Sequence, residues 1–156
     1  ETPPVMAHGV RATAEVGVRA GIRHIQFTPV DEEDALAMDA YLKQLRPVVS
    51  PYLVKGELSK KARRGEKIFK EIGCARCHSG EYYTDMKLHK VRHAVGEETR
   101  NRPFDTPTLR EVWRTAPYLY DGRAATMEEA LMIKSKGYRE LSRKEKEALV
   151  EYVLSL

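Results

Sequence analysis

The sequence is poor in cysteine: two residues in 156, Cys74 and Cys77, with only two positions between them. That excludes a disulfide framework as the source of stability. It also argues against structural zinc, which takes four ligands, usually as two separated pairs, because no second Cys pair exists. Charge of one sign is missing as well. Lys and Arg total 27 against 23 Asp and Glu, a formal net charge of +4, so nothing implies nucleic-acid binding. No apolar run approaches the ~20 residues of a membrane span. No charged start with an apolar centre opens the sequence as a secretory leader would, so the chain reads as mature or truncated. Hydrophobic residues at 42% still suffice for a core, in one domain or two small ones.

What the two cysteines do is set by their neighbours. Cys74-Ala75-Arg76-Cys77-His78 is a C-x-x-C-H run, the attachment sequence of a covalent haem c. The thiols add to the haem vinyl groups, and the histidine ligates iron from one face. A thioredoxin-like CxxC would need a βαβ setting, which the pattern lacks. One haem c is therefore the expected cofactor, held by Cys74, Cys77 and His78. Covalent haem attachment in bacteria takes place outside the cytoplasmic membrane, which predicts a periplasmic or extracellular protein.

Along the chain, Ala12 to Ile22 reads as a helix weakened by Gly17 and Gly21. A short extended piece, His24 to Val30, leads to a second helix that Asp31 can cap, with Ala35, Met38, Leu42 and Leu45 on one face. Pro47 to Leu58 reads as an extended linker. Ser59 caps a basic helix with Ala62, Ile68, Phe69 and Ile72 to one side and Gly65 where something packs closely. Its positive run, Lys55 to Arg76, suits a solvated face or a patch that steers an acidic redox partner. Ser79 to Thr108 reads as loops wrapped around a cofactor. A short helix over Thr108 to Arg114 would turn Leu109, Val112 and Trp113 inward. Pro117 to Gly122 makes a turn, Thr126 caps a helix, and Ser142 caps the last one, which buries Leu149, Tyr152, Val153 and Leu156.

The two ends repeat. Thr2, Pro4, Gly9, Ala12, Thr13 and Glu15 recur 113 positions later as Thr115, Pro117, Gly122, Ala125, Thr126 and Glu128. Ala37, Tyr41 and Leu45 recur 111 positions later as Ala148, Tyr152 and Leu156. The expected fold is mainly α: a c-type cytochrome domain over 59–156 and a linker over 49–58. Ahead of them, residues 1–48 form a helical half-domain resembling the C-terminal half of a second cytochrome domain.

The run from Phe104 to Thr126, with Gly65 to Phe69 and Cys74 to His78, resembles the C-terminal haem domain of the di-haem cytochrome c peroxidase superfamily. Within it the chain looks most like the cytochrome modules attached to β-propellers. The resemblance implies tandem cytochrome folds. It also implies a haem that passes electrons, since peroxide chemistry in that family belongs to the other haem. It places Phe104, Leu109, Arg110, Trp113, Tyr118 and Arg123 around the haem, with Arg110 and Arg123 as partners for its propionates. Tyr120 stands where the family often has His or Asn.

The second iron ligand has several candidates. The family's distal position falls on Lys134, a departure from its Met or Tyr. Met132 offers the better ligand atom, a thioether, yet two helix positions are roughly 200° apart, so Met132 and Lys134 cannot both face iron. Met132 is the first choice on chemistry, followed by His93 or His89, Lys134, and then Met86 and Met127. His8 and His24 could serve a haem of another domain. The expected role is an extracytoplasmic electron carrier with one haem, as module or subunit of a larger redox assembly, with a redox protein as partner. The alternatives are a component of a di-haem peroxidase or oxidase, and an assembly subunit whose haem conducts between partners.

Overall fold

A computed structural model describes residues 5–91 and 94–156. At the front, Val5 N–H donates to the Arg11 carbonyl (2.9 Å), closing a turn in which Met6 (φ 70°) and Gly9 (φ 58°) are left-handed. Thr13 then caps α1 (Ala14–His24), its hydroxyl accepting from Val16 N–H. The stretch expected to be extended folds back instead: Ile25 and Gln26 N–H both donate to the Gly21 carbonyl, and Phe27 has φ 54°. Asp31 sits at the N-cap of α2 (Glu32–Gln44) without a side-chain capping bond. Three acids, Glu32, Glu33 and Asp34, suit the positive end of that helix dipole. Polar clamps join the two helices: Arg19 pairs with Asp39 (2.6 Å) and Glu32 (3.1 Å), and Lys43 with Glu15 (2.7 Å). Ala35 is the one buried apolar side chain among the described residues of this front segment.

The stretch read as an extended linker is laid along the rest of the molecule. Ser50 is buried and donates to the Leu154 carbonyl (2.6 Å), Val48 N–H donates to Glu111, and Val54 and Glu57 pair across a turn.

The core lies beyond it. Ser59 caps α3 (Lys60–Glu71), which buries Ala62, Gly65, Ile68 and Phe69 against α7 (Arg143–Leu154). Gly65 is required there. A Cβ on it would stand 2.0 Å from the Ala148 carbonyl oxygen and 2.7 Å from Tyr152 Cβ, so two backbones meet where no side chain fits. Phe69 packs edge-on to Tyr152, ring centres 5.3 Å apart. The return leg runs through a two-residue pairing, β1 (Leu88–His89) with β2 (Phe104–Asp105), and a short α4 (Glu97–Arg100) between them. A 3₁₀ turn, Val112–Arg114, is shorter than the expected helix, with Val112 buried and Trp113 half-buried. Thr126 and Glu129 form a capping box on α5 (Met127–Lys134). That helix stops at Ser135, which caps α6 (Lys136–Glu140). A second box, Ser142 with Glu145, opens α7, whose Leu149, Tyr152 and Val153 are buried as the pattern requires.

The internal repeat is visible in the backbone. The bridge Val5↔Arg11 has its counterpart in Tyr118↔Ala124, left-handed Met6 and Gly9 in Leu119 and Gly122, and the Thr13 cap in the Thr126 cap. Thr2 and Pro4, the first repeat positions, lie outside the described residues. The fold is mainly helical, a cytochrome-type domain with a half-domain copy of its closing elements in front.

Candidate haem site

At the end of α3, left-handed Gly73 (φ 86°) turns the chain into a 3₁₀ turn, Cys74–Arg76. His78 N–H donates to the Cys74 carbonyl, so thiols and imidazole share one tight loop. Both thiols are free and half-buried. His78 Nδ1 lies 3.0 Å from the Tyr83 carbonyl. With a proton on Nδ1 this bond orients the ring and leaves the Nε2 lone pair available.

These groups open onto a cavity of about 960 Å³, at the upper end of the ~300–1,000 Å³ typical of cofactor pockets. Its walls are largely apolar: Phe69 and Ile72 from α3, Phe104, Leu109 and Val112, then Tyr118, Leu119 and Tyr120 from the turn, with Met127, Ala130 and Leu131 from α5. A free dithiol, a fixed imidazole and aromatic walls of this extent fit a covalently held haem. A shallower depression of about 580 Å³ beside α7 is lined mostly by charged side chains and contains no thiol or imidazole.

Electrostatics follow from enclosure. Burial holds the His78 imidazole down to about 4, with the nearby Lys134 charge acting in the same direction. Burial raises the Cys74 thiol, an effect Lys134 opposes. Lys134 lines the cavity and is exposed through its opening. Burial lowers its pKa, which the Cys74 and Cys77 charges oppose.

Of the residues expected around a haem, Cys74, Cys77, His78, Phe104, Leu109 and Tyr118 are brought together on the cavity wall. Arg110, Trp113, Arg123 and Met132 are not. Arg110 donates to the Glu81 carbonyl (3.0 Å) and stacks over Tyr83. Arg123 pairs with Asp121 and lies over Tyr120. Trp113 is outside the wall, and its indole N–H is buried without a hydrogen-bond partner. Met132 is 36% exposed and off the cavity, because the inward stripe of α5 is Met127, Ala130, Leu131 and Lys134.

Among the other ligand candidates, His89 lines the cavity but is tied to Asp85 (2.7 Å), and Met86 is 51% exposed. His24 is exposed at the end of α1, and His93 lies outside the described residues. Ligand atoms of Cys77, Asp85 and His89 fall within 4.8 Å of one another. Cys77 is one of the two attachment thiols, so this cluster shares an atom with the haem site.

Two contributions escaped sequence reasoning. Val5, Met6 and Ala7 of the front segment form a strap along the cavity. It is held by Asp105 N–H donating to Ala7 carbonyl (2.9 Å) and by His8, which bonds the Pro103 carbonyl and packs on Phe104 at 4.4 Å. Asp105 also lines the cavity, with one carboxyl oxygen buried and unpartnered; burial raises its pKa. The basic run is partly neutralised: Lys61, Arg63, Arg64 and Lys70 all stand in ion pairs.

Comparison with known proteins agrees with this geometry. The family model for cytochrome c matches residues 62–156. The chain is 30% identical over 119 residues to cytochrome c551 peroxidase of Nitrosomonas europaea, covering 65% of this chain and 36% of that protein. It is 26% identical over 183 aligned positions to hydrazine synthase subunit gamma of Kuenenia stuttgartiensis, covering 86% of this chain and 51% of that subunit. The chain thus spans about a third and about half of these relatives. A solved structure of Kuenenia stuttgartiensis hydrazine synthase superposes with a TM-score of 0.74 at 22% identity, over 89% of this chain and 60% of that one. That coverage extends the shared fold in front of residue 62.

Proposed function

Because the chain belongs to the cytochrome c family, we propose that it carries one haem c and works outside the cytoplasmic membrane as an electron-transfer module of a larger redox assembly. Cys74 and Cys77 would hold the haem and His78 would ligate it; when bound, the haem supplies a one-electron couple. The observation that carries this reading is the large apolar cavity onto which the chain's one CxxCH run opens, with His78 Nδ1 already bonded to the Tyr83 carbonyl. The apolar walls would pack against a bound haem, and α3, locked to α7 at Gly65, fixes where the thiols stand.

The module reading rests on the front half-domain. Its α2 leaves Leu36 and Tyr41 exposed, as is Leu45 at the helix end; Tyr41 and Leu45 are the repeat counterparts of buried Tyr152 and Leu156. A face that packs in one copy and lies open in the other suits a partner subunit or domain.

A second reading, peroxide handling, draws on Asp105. A half-buried carboxyl with one unpartnered oxygen and a raised pKa in the cavity can hold a proton for acid–base work.

The test is expression in a bacterial periplasm together with the haem-attachment machinery, read by intact mass and a haem stain. Addition of one haem, lost in Cys74→Ala/Cys77→Ala, is expected; a wild-type mass without haem refutes the proposal. Reversible one-electron reduction without peroxide turnover would favour the carrier. Peroxide turnover that falls in Asp105→Asn would favour the second reading.

A further inference from the structure

Helix α5 presents one stripe to the cavity. Met127, Ala130, Leu131 and Lys134 occupy positions i, i+3, i+4 and i+7, and all four line the wall. Only two of them carry an atom able to ligate a soft or borderline metal, the Met127 sulfur and the Lys134 amine. Seven residues of helix separate them by about 10 Å along the axis, so they address different parts of the cavity.

Lys134 is the one beside the attachment loop. It lines the same cavity as Cys74, Cys77 and His78. Among the described residues its ammonium has no hydrogen bond and no carboxylate partner. Lys134 is exposed through the cavity opening, and its amine, once deprotonated, offers a lone pair to a metal. The other described candidates are placed less well. His89 is bonded to Asp85 through Nε2, Met6 on the strap is 54% exposed, and Met132 points away from the cavity.

We propose that Lys134 Nζ is the second axial ligand of the haem iron, completing a histidine–lysine pair with His78. The proposal rests on the haem reading above. On ligation the ammonium gives one proton to solvent and the amine lone pair forms the bond to iron; no electron is transferred. The short α5 serves this geometry, since the chain leaves the helix at Ser135, immediately after the ligand.

The experiment uses the haem-loaded chain, with loading checked first by mass. Ferric wild type is expected to be six-coordinate and low-spin, without the far-red band of sulfur-to-iron ligation. Lys134→Arg keeps charge and bulk but cannot ligate, and should lose the low-spin signal entirely by electron paramagnetic resonance. Lys134→Met should stay low-spin and gain the sulfur band, and Met132→Leu should match wild type. If Lys134→Arg does not load haem, Lys134→Met decides on its own: failure to gain the sulfur band overturns the proposal. A sulfur band already present in wild type, its loss in Met127→Leu, or an unchanged low-spin spectrum in Lys134→Arg also overturns it. A wild-type chain that takes up no haem overturns instead the reading beneath it.

Discussion

Replacing Gly65 by Ala tests whether one close approach of two helices holds the haem domain. The added Cβ would lie 2.0 Å from the Ala148 carbonyl oxygen and 2.6 Å from its carbon, whereas ordinary contact begins near 3.4 Å. These are backbone atoms, so no rotamer change relieves the clash. α3 and α7 must part by roughly 1.4 Å, loosening Ala62, Phe69, Leu149 and Tyr152 together. Overpacking of this kind costs about 1–3 kcal/mol, and a backbone collision argues for the upper end. Alanine returns about 0.5–1 kcal/mol through its better helix propensity. The net loss is therefore about 2 kcal/mol, which for a chain of this length lowers Tm by about 4–8 °C. Thermal unfolding followed by circular dichroism, with haem yield measured in parallel, reads the effect. Gly21→Ala on α1 is the control: nothing lies within 4 Å of its Cβ position, so a gain of about 0.5–1 kcal/mol is expected. A Gly65→Ala protein that melts at or above the wild-type temperature would refute the close-approach argument.

Thr126→Ala removes the hydroxyl half of the α5 capping box and leaves the backbone N–H of residue 126 on the Glu129 carboxylate; it should lower stability by about 1 kcal/mol in denaturant titration. Arg19→Met leaves the Asp39 carboxylate, only 8% exposed, without its 2.6 Å partner. Amide exchange should quicken in α1 and α2 while α3 and α7 stay protected. Burial works to raise the Glu151 carboxyl, but hydrogen bonds from the Ser59 hydroxyl and Lys61 outweigh it, and its pKa lies below the ordinary value. A depressed folded pKa means stability is present above the unfolded value and is lost as pH falls through the folded one. Stability should therefore drop on acidification below about pH 4.5, and part of that drop should vanish in Glu151→Gln; an identical acid profile would contradict the assignment.

Local chemistry was legible in the sequence and long-range geometry was not. The CxxCH run, the Ser59, Thr126 and Ser142 caps and the close approach at Gly65 each depend on neighbours a few residues away or on the absence of a side chain. The strap depends on a contact between His8 and Pro103, 95 positions apart, which no pattern announces. Arg110 and Arg123 were expected to face the haem because guanidinium suits propionate; nearer acceptors, the Glu81 carbonyl and Asp121, engage them instead. Met132 was preferred for its sulfur, a criterion blind to helix phase. Once α5 is seen to run from Met127 to Lys134, its inward stripe is determined, and Met132 lies on the other side.

The repeat shows how one pattern yields two outcomes. Tyr152, on α7 under α3, and Leu156, just beyond α7 in the same core cluster, are 3% and 7% exposed, while their counterparts Tyr41 on α2 and Leu45 at its C-terminal end are 65% and 55% exposed. The turn, the Thr cap and the two helices form in both copies, so local sequence suffices for them; burial needs the opposing helix as well. What holds the front copy in place is therefore mostly not its own core. Exposed ion pairs such as Lys43 with Glu15 add little. The strap from Val5 to His8 remains, and it anchors on Phe104 and Asp105, which are themselves cavity wall. Filling the cavity would brace those residues from the other side, so haem attachment and the seating of the front half-domain are coupled through one stretch of backbone.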